Sequence, residues 1–314
     1  MKLIVTSDLH CHPHRVGSAD GRGRDRLADG LSALDQTLAL ARKHGAVWVF
    51  CGDLKGPKDV WLVACLNGVR ATLARYADVR KVAIPGNHDR LEGVHGGGLE
   101  PLREFMTVYD TPTVERAPKM FMAAWPWGAG HRDELPAFLN EAAKARRDGP
   151  VVLLAHLMLA GVHLGPTDVQ RPDRGLPLDA FRPGEALDVG LFGDVHKGQV
   201  YAGGWRTYAD LSVMVEEKPR KGRQKAQVGP GATSGQGGAI PLRAPGPWRG
   251  EVVGPGSPYQ QGGGEINEWP KGALLIDVAT GQVGLLPVRA PRFCELAVET
   301  VEGLEGWAAH ASGA

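Results

Sequence analysis

The chain has 314 residues, 43% of them apolar, enough to bury one large core or one core with a small appendage. Its 36 basic and 35 acidic residues nearly cancel, which excludes a global field toward nucleic acid or membrane and leaves attraction to polyanions to local clusters. The four cysteines (Cys11, Cys51, Cys65, Cys294) form no C-x-x-C pair, the apolar start is too short for a secretory signal, and no run of about 18 apolar residues could span a bilayer, so a reduced, cytoplasmic setting without membrane contact is expected.

Taken in chain order, short apolar runs end in polar residues of metal-ligating type. Residues 2–5 (KLIV) run into Thr6, Ser7, Asp8, Leu9 and His10. Residues 31–45 then read as a helix, with Leu31, Leu34, Leu38 and Ala41 on one face and Gly45 as its stop. Residues 46–50 (AVWVF) run into Cys51, Gly52 and Asp53. A second helix is expected within 57–76, aligning Leu62, Leu66, Val69, Leu73 and Tyr76, although Asn67 and Gly68 weaken it. Residues 81–84 (KVAI) lead to Pro85, Gly86, Asn87, His88 and Asp89. A third helix within 133–149 aligns Leu135, Phe138, Leu139 and Ala142. Residues 151–155 (VVLLA) run into His156, and residues 188–192 (DVGLF) into Gly193, Asp194, Val195 and His196.

Continuous runs of Val, Leu and Ile are what strands buried on both faces look like, and helices must then cover those faces. Strands alternating with helices define an α/β class. After residue 200, residues 201–215, 249–257, 271–278 and 282–288 read as shorter strands of a second sheet. Residues 216–250, rich in Gly, Pro, Lys and Arg and without periodicity, read as a long loop or disordered insertion.

In α/β sheets, ligands gather outside the carboxyl ends of the strands, so the polar tips should converge on one edge. A cluster of oxygen and nitrogen donors there is a metal site. Alone, Asp8 or Asp53 would be a turn former or helix cap and His156 a satisfied core histidine. Five successive strand ends using ligand types outweigh that reading.

The D-x-H of Asp8 and His10, the G-D of Gly52 and Asp53, the G-N-H-D of Gly86 to Asp89, the isolated His156 and the G-D-x-H of Gly193 to His196 resemble the calcineurin-like metallophosphoesterases. The resemblance implies a four-layer αββα sandwich, two mixed sheets flanked by helices, with two divalent metal ions. One metal would take Asp8, His10, Asp53 and His196; the other would take Asp53, Asn87, His156 and Asp194, with Asp53 bridging. His88 would face the substrate, with Asp89 orienting it, while Thr6 and Ser7 stay structural. Two cations about 3.5–4 Å apart would share and acidify a water for in-line attack on phosphorus. His88 would protonate the departing ester oxygen or stabilise its charge. The family usually carries histidine where this chain has Asp194, and the resulting oxygen-rich shell favours Mn²⁺ or Mg²⁺ over Zn²⁺.

A second resemblance is to the SbcD-type DNA-repair exonucleases. It rests on residues 193–200 (GDVHKGQV), the G-S-P of Gly256 to Pro258, the acidic Glu265 and Glu268, and Lys271-Gly272. It implies DNA, as ends or single strands, as substrate, an SbcC-like ATPase subunit as partner, and a homodimer. Lys218, Arg220, Lys221, Arg223 and Lys225, with Arg15, Arg22, Arg24 and Arg26, supply local positive charge for phosphates, although a solvated basic loop would look the same. Residues 1–290 would form the catalytic domain, and 291–314 a truncated remnant of a capping domain, which weakens the expectation of an ATPase partner. The competing functions are a small-molecule phosphatase or cyclic-nucleotide phosphodiesterase on the same scaffold, and a non-catalytic binding scaffold. His12 and His14 read as exposed loop residues, and His95 and His163 stay outside the site.

Overall fold

Leu3 and Val5 enter one core and Ile4 another, and all three are fully buried. That alternation is the period of a strand, and it places the run between two apolar layers. The computed structural model describes residues 1–13, 15–16, 24–90, 97–127, 134–164, 169–170, 175–201, 204–208, 211, 239–260 and 270–290.

Strands β1 (Lys2–Thr6), β2 (Val47–Phe50), β3 (Lys81–Ala83) and β4 (Thr107–Val108) pair in parallel. Strands β5 (Thr113–Ala117), β6 (Met120–Trp125), β7 (Val151–His156), β8 (Val189–Gly193), β9 (Gln199–Tyr201), β10 (Trp205–Thr207) and β12 (Glu251–Gly254) form the other sheet, in the order β10-β9-β12-β8-β7-β6-β5. Strands β11 (Ile240–Arg243), β13 (Gly272–Asp277) and β14 (Gln282–Pro287) return to the first sheet, whose order is β11-β14-β13-β1-β2-β3-β4. Both sheets are mixed: β1 runs antiparallel to β13, and β6 antiparallel to β5.

Three cores separate four layers. Helices α1 (Arg26–His44) and α2 (Val63–Arg75) cover one face of the first sheet, with Leu34, Leu38, Val69 and Leu73 packed on Ile4, Trp48 and Phe50. Between the sheets, Leu3, Val5 and Val49 meet Val152, Leu154 and Leu191. Helix α3 (Leu135–Ala145) covers the outer face of the second sheet with Leu135, Phe138, Leu139 and Ala142 against Trp125, Leu153 and Ala155. The chain is thus an α/β αββα sandwich, and each central strand is covered by helix on one face and by the opposing sheet on the other.

Three expectations shift. Helix α1 begins at Arg26, ahead of Leu31, because the Asp25 carboxylate caps the Leu27 N–H at 2.9 Å. Helix α2 begins at Val63, since Asp59 is left-handed (φ 61°) and Leu62 extended, and its fully buried face holds Cys65, Val69, Thr72 and Leu73. The stretch read as a loop, 216–250, is described from residue 239 onward, and there Ile240–Arg243 forms a strand on β14. Arg243 anchors this end by an ion pair to Glu251 at 2.7 Å and by stacking on Trp248. Residues 216–238 and the tail 291–314 lie outside the described residues. Among the described residues, no helix is long and apolar enough to cross a membrane.

Candidate metal centre

The parallel strands of both sheets deliver their carboxyl ends to one edge. β1 leads to Asp8 and His10, β2 to Asp53, β3 to Asn87 and His88, β7 ends on His156, and β8 leads to Asp194 and His196. Beyond the strand ends the backbone stays paired: the Asp8 N–H donates to the Gly52 carbonyl at 2.8 Å, and the His10 N–H to that of Asp53 at 2.9 Å. Asp8 (φ 53°), His10 (φ 43°), Asp53 (φ 64°) and Asp194 (φ 86°) are all left-handed, and only Asp59 and Arg182 share that trait among the described non-glycine residues. Such backbone costs on the order of 1–3 kcal/mol per residue and gathers at functional sites. Here it falls on four side chains, from three separate loops, that meet in one cluster. Glycine is required beside them: a Cβ on Gly86 would overlap the Asp53 carboxylate, and one on Gly193 would overlap the Cys51 carbonyl.

Asp53 sits at the centre. Its Oδ2 lies 3.4 Å from His10 Nε2 and 3.5 Å from His156 Nε2. On one side, Asp8, His10 and His196 bring ligand atoms within 4.8 Å of one another, with His10 Nε2 and His196 Nε2 3.2 Å apart. On the other, His156 Nε2 lies 3.2 Å from Asn87 Oδ1 and 3.7 Å from Asp194 Oδ1. His156 Nδ1–H donates to the Cys51 carbonyl at 2.7 Å, which leaves Nε2 as the lone pair facing the cluster. The Asn87 carbonyl oxygen faces only acceptors; rotated by half a turn, the amide would donate to Asp53 and His156 instead. Acceptors turned on one another, with only a proton on His156 to hold them together, are what a cation reconciles, so this donor set fits divalent metal on both sides of Asp53.

The charges agree. Burial raises the Asp53 carboxyl, but the hydrogen bond and charge of His156, together with His10, outweigh it and pull the group down to about 2. Burial lowers His156, but Asp53 and the neighbouring carboxylates overcome it and push the ring up to about 10. A cation in the cluster would take over the role of that proton. Burial likewise drives His10 down to about 3, a neutral ring that can act as a ligand. Burial raises Asp8 and Asp194.

Asp89 plays a different part from the one the resemblance implied, and His88 is held by other groups. The His88 N–H donates to Asp53 Oδ1 at 2.7 Å, its Nδ1 contacts the Gly56 carbonyl, and its ring meets that of His10 edge-on at 4.5 Å. Asp89 is not what orients it. That carboxylate is fully buried and accepts the backbone N–H groups of Asp53 (2.7 Å), Leu54 (2.9 Å), Lys55 (3.1 Å) and Gly86 (3.0 Å). It pins the loop after β2 to the loop after β3, despite burial and the charge of Asp53 raising it to about 7. Asp89 is therefore a positioning residue for Asp53, and the Gly56 carbonyl sets the His88 ring.

A cleft of about 530 Å³ opens over the cluster, lined by His10, Asp53, Asn87, His88, Asp194 and His196, with His12, Arg26, Gly56 and Tyr259 around them. A family model described as calcineurin-like phosphoesterase matches residues 1–198. The chain belongs to that family. Members typically depend on two metal ions, in keeping with the donors assembled around Asp53. Among solved structures, this phosphoesterase is similar to TT1561 of Thermus thermophilus, with 14% identity, a TM-score of 0.47, and coverage of 92% of this chain and 99% of that one. It is also similar to a "Putative 5'-Nucleotidase from Staphylococcus aureus", with 11% identity, a TM-score of 0.43, and coverage of 99% of this chain and 58% of that one. No curated protein matches it.

Several residues that secure the phosphoesterase centre carried no ligand signal in the sequence. The Lys271 ammonium, buried, donates to the His196 carbonyl at 2.8 Å and to Ser257 Oγ at 2.9 Å, while the Ser257 N–H donates to the same carbonyl at 3.0 Å. The G-S-P and K-G segments thus clamp the last metal motif. Tyr259 OH donates to the Leu9 carbonyl at 3.0 Å and ties the first motif to the same loop. Arg26, read as part of a basic stretch, is buried, pairs with Asp29 at 3.2 Å and lies over the Tyr259 ring. His12, read as an exposed loop residue, lines the cleft. His163 instead donates its backbone N–H to Gln199 Oε1 at 3.0 Å. His14, His95, Arg22, Glu265, Glu268 and the 218–225 cations lie outside the described residues, as do the side chains of Arg15 and Arg24.

Proposed function

We propose that this phosphoesterase is a Mn²⁺-dependent phosphodiesterase that cleaves DNA, as an exonuclease or endonuclease of the SbcD-like branch. One observation carries the two-metal reading: a single carboxylate, Asp53, stands within 3.4 Å and 3.5 Å of imidazole nitrogens on either side of it. Asp8, His10, Asp53 and His196 would hold one ion, and Asp53, Asn87, His156 and Asp194 the other. When bound, the pair supplies Lewis acidity and an acidified attacking water. Asp194 in place of the family's usual histidine favours Mn²⁺ or Mg²⁺.

The chain's own residues supply orientation and proton transfer. The Gly56 carbonyl engages His88 Nδ1–H, so Nε2 is the atom that carries a proton to the departing ester oxygen. The Asp89 carboxylate holds the Asp53 loop in register with that histidine. The resemblance of the Ser257 to Lys271 segment to the DNA-repair nucleases supports a polymeric substrate, and so do the clustered cations of the sequence. End-labelled single-stranded and duplex DNA incubated with Mn²⁺ tests the proposal. Cleavage that falls about 10²–10⁴-fold in His88→Ala is the expected result. Hydrolysis of small phosphomonoesters with intact DNA would replace it by the phosphatase reading.

A further inference from the structure

Trp127 is 37% exposed, the one large aromatic so open among the described residues. Its position follows from the register of the second sheet. Trp125, the last residue of β6, pairs with Ala155 of β7, so the chain at Pro126 stands level with His156 and Trp127 follows one residue beyond, at the sheet edge beside the residues that line the cleft. The Trp127 N–H then crosses to the first sheet and donates to the Pro85 carbonyl at 3.2 Å, two residues before Asn87. Arg90, exposed and two residues after His88, places its guanidinium 5.2 Å from the indole centroid. Among the described residues Arg90 has no carboxylate partner.

From this placement we infer that Trp127 and Arg90 form a stacking platform for a nucleobase of the substrate, on the Asn87 and His156 flank of the cleft. An exposed indole fixed by its own backbone loses little freedom when a flat ring lies on it, and a neighbouring guanidinium adds a cation next to the phosphate. The inference rests on the phosphodiesterase reading for its substrate class, because it selects nucleotidyl esters over esters lacking a base. It needs no catalysis to be tested.

Calorimetric titration of the intact protein with adenosine monophosphate and with ribose 5-phosphate isolates the base, since both carry the same sugar and phosphate. The wild type should bind the nucleotide about 5- to 150-fold more tightly, the range base stacking on an aromatic supplies. Trp127→Ala should bring the ratio close to one, and Trp127→Phe should keep most of it. A wild type without preference, or a preference that survives Trp127→Ala, would overturn the platform. A single-stranded thymidine oligomer in the same titrations separates the sources: loss with the oligomer as well assigns the platform to strands, and loss with the monophosphate alone assigns it to free nucleotides. Failure to hydrolyse any diester while this ratio holds would count against the proposed function and leave the platform standing.

Discussion

Asp194 stands where the resemblance would put a histidine, and its carboxylate lies 3.7 Å from His156 Nε2. Substituting histidine would remove one negative charge from the donors of the proposed metal pair, and a pair held there would supply a more acidic water. Asp194→His is expected to shift the acid limb of the rate–pH profile to lower pH and raise activity with Zn²⁺ relative to Mn²⁺, read from steady-state rates with each metal. An unchanged profile would mean that Asp194 is not a ligand. Asp89 makes a different kind of prediction. Removing an acceptor from a buried donor costs about 1–3 kcal/mol, and Asp89 serves several backbone N–H groups. Asp89→Ala should lose about 3 kcal/mol or more in denaturant unfolding, measured without metal. The convergence of these side chains was legible in the sequence because aspartate, asparagine and histidine at successive strand ends have few other uses in common. The role of Asp89 was not, because its partners are backbone amides, which no residue letter records.

At the scale of elements, the segment from β12 to β13 acts as a brace for the last metal motif. Lys271→Met keeps the aliphatic stem and removes both donors from the His196 carbonyl and Ser257. Hydrogen bonds from a charged donor are worth about 1.5–3 kcal/mol each, so with two of them removed a loss of about 3–6 kcal/mol is expected in thermal or denaturant unfolding. Outer partners of metal ligands typically change affinity about 10–100-fold, and metal titration of the same variant should show a weakening on that order. The central strands were readable as apolar runs because both of their faces are covered. The start of α1 was not, because Arg26 and Asp29 are polar letters that the fold buries against each other and against Tyr259. Strand β11 was hidden for a related reason: Pro241 and Arg243 break the alternation, and the strand is held from outside by Glu251 and β14.

For the whole molecule, Asp8 and Asp53 bring two buried carboxylates together from separate strands of one sheet, and His156 faces them from the other. Metal held there would join the two sheets as well as serve chemistry. Binding to the folded state alone adds about 2.7 kcal/mol per site at a hundredfold excess over Kd, so each bound Mn²⁺ should raise Tm by about 4 °C over a chelated sample. The four-layer architecture followed from the resemblance more than from composition, since apolar runs alone do not say whether a strand's second face meets a helix or another sheet. The most direct measurement is the metal content of purified, Mn²⁺-equilibrated protein by elemental analysis, beside Asp53→Ala. Two ions per chain in the wild type and one or fewer in the variant is the predicted result. One ion or none in the wild type, or two retained without Asp53, would contradict a centre shared through that carboxylate.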